Sequence, residues 1–126
     1  MRATVSHFEI PARDMERAAR FYRDVFGWEI EPLPWEGHPY YKVRGVAGEA
    51  LGGGIVPAGE GYEHPLLVIH ATGELDAWIE RIVDEGGTVE QPPAPVGDFG
   101  WFARFRDTEG NVLGLWGRPG AEAPGP

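Results

Sequence analysis

The sequence predicts an α+β fold made of two βαβββ modules, and three observations predict it. Strand-like and helix-like segments follow the order β-α-β-β-β twice over. The halves overlay at an offset of about 59 residues, laying "DMERAARFYRDVFGWEI" on "GELDAWIERIVDEGGTV" and Gly27 on Gly86; an internal repeat of this size marks two similar modules. The chain of 126 residues holds 19 Gly and 12 Pro beside 12% aromatics, which favours short strands and tight connections around one modest core. Half a chain of this length cannot bury its own sheet face, so the modules pack together or against a second chain.

Each element has a local reason. "TVSHFEI" (4–10) alternates and is rich in β-formers, so it reads as a strand that Pro11 ends. Asp14 is the expected N-cap of a helix whose apolar stripe is Met15, Ala18, Ala19, Tyr22, Val25 and Phe26, with Gly27 as its stop. "WEIEPL" (28–33), "YYKVRGV" (40–46) and "LGGGIV" (51–56) read as three strands, and "PAGEGYEHP" (57–65) as a loop. "LLVIHA" (66–71) opens the second half. A helix with Leu75, Trp78, Ile79, Ile82 and Val83 on one face follows it and ends at Gly86-Gly87. "TVEQP" (88–92) reads as a strand, "PAPVGDFG" as a loop, and "WFARFR" (101–106) and "VLGLW" (112–116) as the last strands, joined by a tight turn from Asp107 to Asn111. In that turn Gly110 supplies the unusual backbone angles and Asn111 tolerates them. The expected layout is one two-module domain over 1–118, with module one about 1–57, module two about 64–118, and a disordered tail over 119–126.

Composition excludes several functions. The net charge is −9, with Lys42 the one lysine; an acidic chain without a basic run suits neither nucleic acid nor an anionic membrane. There is no cysteine, hence no disulfide, thiol nucleophile or cysteine metal site. No apolar run reaches membrane-spanning length, and "MRATVSHFEI" lacks a signal-peptide core, so a cytoplasmic protein is expected. The one serine, Ser6, falls on the strand face opposite His7, which leaves no nucleophile.

Two stretches, "HFEIPARDMERAARFYRDVFGW" (7–28) and "GWFARFRDTEGNVLGLW" (100–116), make the chain resemble the vicinal oxygen chelate superfamily of glyoxalase, bleomycin-resistance and extradiol dioxygenase proteins. The strand histidine, the Asp at the helix start, the Phe-Tyr pair in the helix and the late Asp-x-x-Gly-Asn turn carry the likeness together. It implies a curled mixed sheet with an open cavity, completed within one chain or across a homodimer. The fold does not fix a reaction, so function rests on the site.

In metal-dependent members of that family a glutamate ligand stands seven residues after the turn's Asp. Here that position is Gly114. His7 matches the family's first ligand. The ligand from module one's last strand falls in "LGGGIV", which has no donor side chain, and the ligand from module two's first strand falls near Leu66 or Leu67, with His64 within a shift of register. Divalent metals need about three protein donors, so no firmly bound metal or other cofactor is expected. A divalent metal held through His7 with His64 or Glu9 is the disfavoured alternative.

Alternation puts His7 and Glu9 on the cavity face, with Phe8 and Ile10 on the helix side. His7 and Glu9 are the candidates for proton transfer, Glu9 with a pKa raised by burial; the plain alternative is an ion pair of Glu9 with an arginine such as Arg104. If Ala103 and Phe105 pack on a helix, Phe102 and Arg104 line the cavity, and Arg104 either clamps an anion or makes a structural ion pair. Trp116 shares the face of Gly114, which leaves room beside it. Trp35, Tyr40, Tyr41 and Trp101 add aromatics whose facing stays open, with core filling preferred for Trp101. His70 reads as a capping or loop residue and His38 as exposed. The expectation is a protein that binds or transforms a small organic molecule, probed at His7, Glu9, Phe102, Arg104 and Trp116, as a homodimer without a firmly held metal. A drug-sequestering binding protein and a metal-dependent lyase, isomerase or dioxygenase are the alternatives, and whether it is an enzyme stays open.

Overall fold

Alternating β-branched and aromatic residues at the N-terminus form β1 (Thr4–Ala12), which runs two residues past the predicted last residue Ile10, through the expected stop at Pro11. Pro11 is tolerated because it sits near the strand's end, where one missing donor costs little; its Cα still pairs with Val56. The computed structural model describes residues 3–37, 39–45, 51–98 and 100–117; the expected tail over 119–126 and His38 lie outside them. The described residues group into two compact units. One runs from His7 to Leu66, and the other joins Ser6 and the residues before it with those from Leu67 onward.

In the first module Asp14 caps α1 (Met15–Phe26) by accepting the Arg17 N–H at 2.9 Å. Gly27 closes it in the left-handed region, φ 71°, which a side chain would resist. β2 (Glu29–Pro32), β3 (Tyr41–Arg44) and β4 (Gly53–Pro57) follow, and the strand order is β2-β3-β4-β1. β1 and β4 are parallel; β2/β3 and β3/β4 are antiparallel. Ala19, Ile30, Val43 and Ile55 form the core, with Phe8, Met15, Ala18, Tyr22 and Trp28 packed against it. The helix stripe was predicted two residues too long: Val25 and Phe26 are more than half exposed. Phe26 instead joins the ring cluster of Tyr22 and Trp28 at the helix end.

The second module repeats the plan with β5 (Leu66–His70), α2 (Leu75–Asp84), β6 (Thr88–Val96), β7 (Gly100–Arg106) and β8 (Val112–Gly117). Its strand order is β5-β8-β7-β6, with β5 and β8 parallel. β6 absorbs much of the predicted "PAPVGDFG" loop. It keeps pairing with β7 to Val96, through register shifts between Val89 and Gln91 and between Gln91 and Ala94; Pro92, Pro93 and Pro95 lack the N–H a regular ladder needs. Ala71, Leu75, Ala103, Phe105 and Leu115 form this core, and Trp78, Ile79, Ile82 and Trp101 pack against it, which gives Trp101 the core role preferred for it. Val83, expected on the apolar face, is half exposed. In the β7–β8 turn Gly110 takes φ 88° as predicted, but among the described residues no non-glycine residue has positive φ. Asn111 contributes otherwise: its N–H and side-chain amide both donate to the Asp107 carboxylate, holding that carboxyl below its ordinary range.

The result is an α+β fold of two βαβββ modules with mixed strand directions, as the sequence predicts.

Candidate functional site

Strand alternation and the helix packing of Phe8 decide which way β1 presents its polar residues. Phe8 packs into the α1 side, 5.9 Å from the Trp28 ring, so His7 and Glu9 share the other face. His7 Nε2 lies 3.9 Å from Glu9 Oε2, and their side chains keep 25% and 11% exposure. This is too long for a hydrogen bond and close enough for an ion pair when His7 is protonated. Burial raises the Glu9 carboxyl from 4.5 to about 7, because a carboxylate loses hydration there.

The floor beside Glu9 is Gly54, its register partner on β4. The glycines of β4 let rings close in from opposite faces: a Cβ on Gly53 would strike the Phe8 ring, and a Cβ on Gly54 would overlap the Tyr40 ring and hydroxyl. Tyr40 packs against Trp35 at 5.1 Å between ring centroids. Burial pushes its phenol well above the ordinary tyrosine range, and the Glu9 carboxylate adds to this. Its neighbour Tyr41 turns the other way, towards α1, and donates to Glu16 Oε2 at 3.1 Å. The facing of Tyr40 was open in the sequence because nothing there fixes which face of the predicted strand 40–46 meets α1; the observed strand starts one residue later, at Tyr41.

In module two, β7 sends Ala103 and Phe105 to the α2 side, which leaves Phe102 and Arg104 on the opposite face. Both are buried, and Arg104 Nε donates to Gln91 Oε1 at 2.8 Å. Trp116 pairs in register with Phe102 and fits against Gly100, where a Cβ would be 2.8 Å from its ring. Gly114 does not leave the room expected for it. A Cβ there would stand 2.9 Å from the Phe102 ring and 3.1 Å from Val68, so Phe102 already fills that space.

The predicted residues therefore fall into two sets. His7 and Glu9 belong to one module, with Tyr40 as the member the sequence left unplaced; Phe102, Arg104 and Trp116 belong to the other. His64 is exposed and precedes β5, whose Leu66 and Val68 are buried. His70 is the exposed last residue of β5. Among the described residues no three His, Asp or Glu side chains gather as a metal-ligand set. A shallow groove of about 400 Å³ lies at the start of α1, lined in part by Arg13, Asp14, Arg17 and Phe21.

The fold agrees with comparison to known proteins. The model of the Glyoxalase/Bleomycin resistance protein/Dioxygenase superfamily matches residues 4–115. The chain belongs to that superfamily. A "Glyoxylase-like domain-containing protein" of Didymella fabae is 34% identical over 125 residues, 92% of this chain and 94% of that one. "Putative glyoxylase CFP32" of Mycobacterium tuberculosis is 30% identical over 119 residues, 90% of this chain and 45% of its own, so the chain spans about half that relative's length. Among solved structures, methylmalonyl-CoA epimerase from Mycobacterium tuberculosis has a TM-score of 0.65 at 18% identity, covering 90% of this chain and 87% of that one. A hypothetical protein from Bacillus halodurans has a TM-score of 0.68 at 14% identity, covering 99% and 100%. These structures share the superfamily's fold with this chain. No helix among the described residues is long and apolar enough to cross a membrane.

Proposed function

We propose that this superfamily member binds a small organic molecule over the His7–Glu9 face and moves a proton there, without a firmly held metal. The observation that carries the reading is Glu9: a carboxyl with 11% side-chain exposure, 3.9 Å from the His7 imidazole and across the strand register from Gly54. A carboxylate desolvated this way, with its pKa near 7, suits both taking and returning a proton at neutral pH. Burial of a carboxyl is costly, and core packing gives no reason to keep one there. His7 is the partner that relays the proton or orients the substrate. Phe102, Arg104 and Trp116 are the substrate-binding candidates of module two.

The donor set argues for the metal-free part. Gly54 and Gly114 carry no side chain, and Leu66 and Val68 are apolar. His7 and Glu9 offer fewer than the three donors a divalent ion needs. Elemental analysis after loading with Zn, Mn, Fe, Ni and Mg and then desalting checks this; near-stoichiometric retention of one metal contradicts it. A homodimer fits the same reading, since Phe21, Val25 and Phe26 leave apolar surface exposed; sedimentation measures the assembly.

The test of the activity is deuterium uptake in D2O by methylmalonyl-CoA, named for the structural neighbour, together with a panel of small α-hydroxyketones and 2-oxo acids. Uptake by wild type that Glu9→Gln abolishes and His7→Ala reduces supports the reading. Uptake that survives both substitutions sinks it. Saturable binding with no uptake points to a sequestering protein.

A further inference from the structure

We infer that Tyr40 is a further catalytic residue of this face: its phenol donates a hydrogen bond to the substrate oxygen that gains negative charge as Glu9 withdraws a proton. The inference rests on the proton-transfer reading and deepens it.

Position carries the argument. Gly54 stands directly across from Glu9 in the parallel β1/β4 register. A Cβ on Gly54 would overlap the Tyr40 hydroxyl and the ring carbon that bears it. The reactive end of Tyr40 therefore lies over the strand next to Glu9, about one strand spacing (~4.8 Å) from that residue's backbone. Tyr41 donates to Glu16 on the helix side, so the two adjacent tyrosines face opposite ways and only Tyr40 shares the face of Glu9. The Trp35 ring, 5.1 Å away, braces the phenol ring. A residue that merely filled the space over Gly54 needs no hydroxyl. Phe102 does that job over Gly114 in the second module with a bare ring.

The chemistry follows from the two groups. A carboxylate accepts a proton, and a neutral phenol donates a hydrogen bond without losing its own. A C–H bond next to a carbonyl or nitro group breaks, its proton goes to Glu9, and its electron pair moves onto the conjugated oxygen. The Tyr40 O–H holds that oxygen, the kind of donor that stabilises developing charge most. Return of a proton to carbon restores the neutral product, and no oxidant or co-reactant is needed. The substrate class is thus a carbon acid whose charge comes to rest on an adjacent oxygen.

Nitroethane is the probe, because it is a small carbon acid that needs no recognised head group. Its deuterium exchange in D2O is followed by NMR with wild type, Glu9→Gln, Tyr40→Phe and Gly54→Ala. Tyr40→Phe keeps the ring on Gly54 and the unfolding midpoint, and is expected to slow exchange about 100-fold. Gly54→Ala evicts the phenol and is expected to slow it similarly. Tyr40→Phe at the wild-type rate, with Glu9→Gln silent, overturns the role of Tyr40 and leaves proton transfer by Glu9 standing. Glu9→Gln at the wild-type rate, or wild type no faster than buffer, overturns the proton-transfer reading and Tyr40 with it.

Discussion

Glu9 beside Gly54 in the first module stands where Val68 beside Gly114 stands in the second. The match extends along the neighbouring strand. Lys42 pairs with Gly54 as Arg104 pairs with Gly114, and two residues earlier Tyr40 covers the first glycine as Phe102 covers the second. One backbone plan thus carries two chemistries: histidine, carboxyl and phenol in module one, and Leu66, Val68 and Phe102 in module two. The difference teaches that the glycines are packing devices in both modules. Each admits an aromatic ring over a strand, and what the ring and its neighbours carry decides whether the face can react.

The comparison can be broken at Glu9 with the largest expected effect. Glu9→Gln removes the acid–base group and is predicted to lower proton exchange by at least about 1000-fold, against wild type in the same NMR assay. The same substitution is predicted to stabilise the protein, because the Glu9 carboxyl is raised from 4.5 to about 7. A raised carboxyl contributes stability that is fully present below pH 4.5 and lost as pH climbs to about 7. Above that, the ionised group costs about 3 kcal/mol. Urea unfolding of wild type and Glu9→Gln at pH 5 and pH 8 should therefore show the gap widening at the higher pH. A module-two equivalent, Val68→Glu, should lose stability in the same pH direction without gaining exchange.

The glycines give the next effect. Gly114→Ala pushes a methyl to 2.9 Å from the Phe102 ring and is predicted to cost about 1–3 kcal/mol, read as a lower unfolding midpoint, while proton exchange is retained. Gly54→Ala meets the rigid Tyr40 ring and should lose both stability and exchange. A Gly54→Ala protein that loses stability alone would mean the Tyr40 side is as inert as its counterpart.

The smallest effect concerns Arg104. Arg104→Met breaks its hydrogen bond to Gln91 and is predicted to cost about 1 kcal/mol with exchange on nitroethane within about twofold. A larger loss with an anionic substrate than with nitroethane would assign Arg104 to substrate binding.

Much of this plan is legible in the amino-acid sequence. The period-two pattern of "SHFEI" put Phe8 on the helix side and His7 with Glu9 on the other, because alternation within a strand is fixed by covalent geometry. Asp14, Gly27 and Gly110 announced caps and a turn for equally local reasons. The occupants of the two glycine floors were not legible. They depend on cross-strand register, which sets Lys42 against Gly54 and Arg104 against Gly114 and so brings the rings two residues earlier over each glycine, and register is a tertiary property. Alternation within the predicted strand 40–46 sets Tyr40 and Tyr41 on opposite faces, but no local signal says which face meets α1. The overlong helix stripe failed for a similar reason: Val25 and Phe26 continue the spacing, but both stay more than half exposed, which depends on tertiary packing and not on helical period. The matching positions of Gly54 and Gly114, each with an aromatic residue 12 to 14 places earlier, were the signal that pointed to the filled floors.

The central claim is that module one holds a carboxyl kept ready to exchange a proton at neutral pH. The measurement that tests it most directly is the titration of Glu9 by ¹³C NMR in glutamate-labelled protein, with Glu9→Gln to assign the resonance. The expected midpoint is near 7. A midpoint near 4.5, the ordinary value, would mean that the carboxyl is solvated or paired and that its burial serves something other than proton transfer.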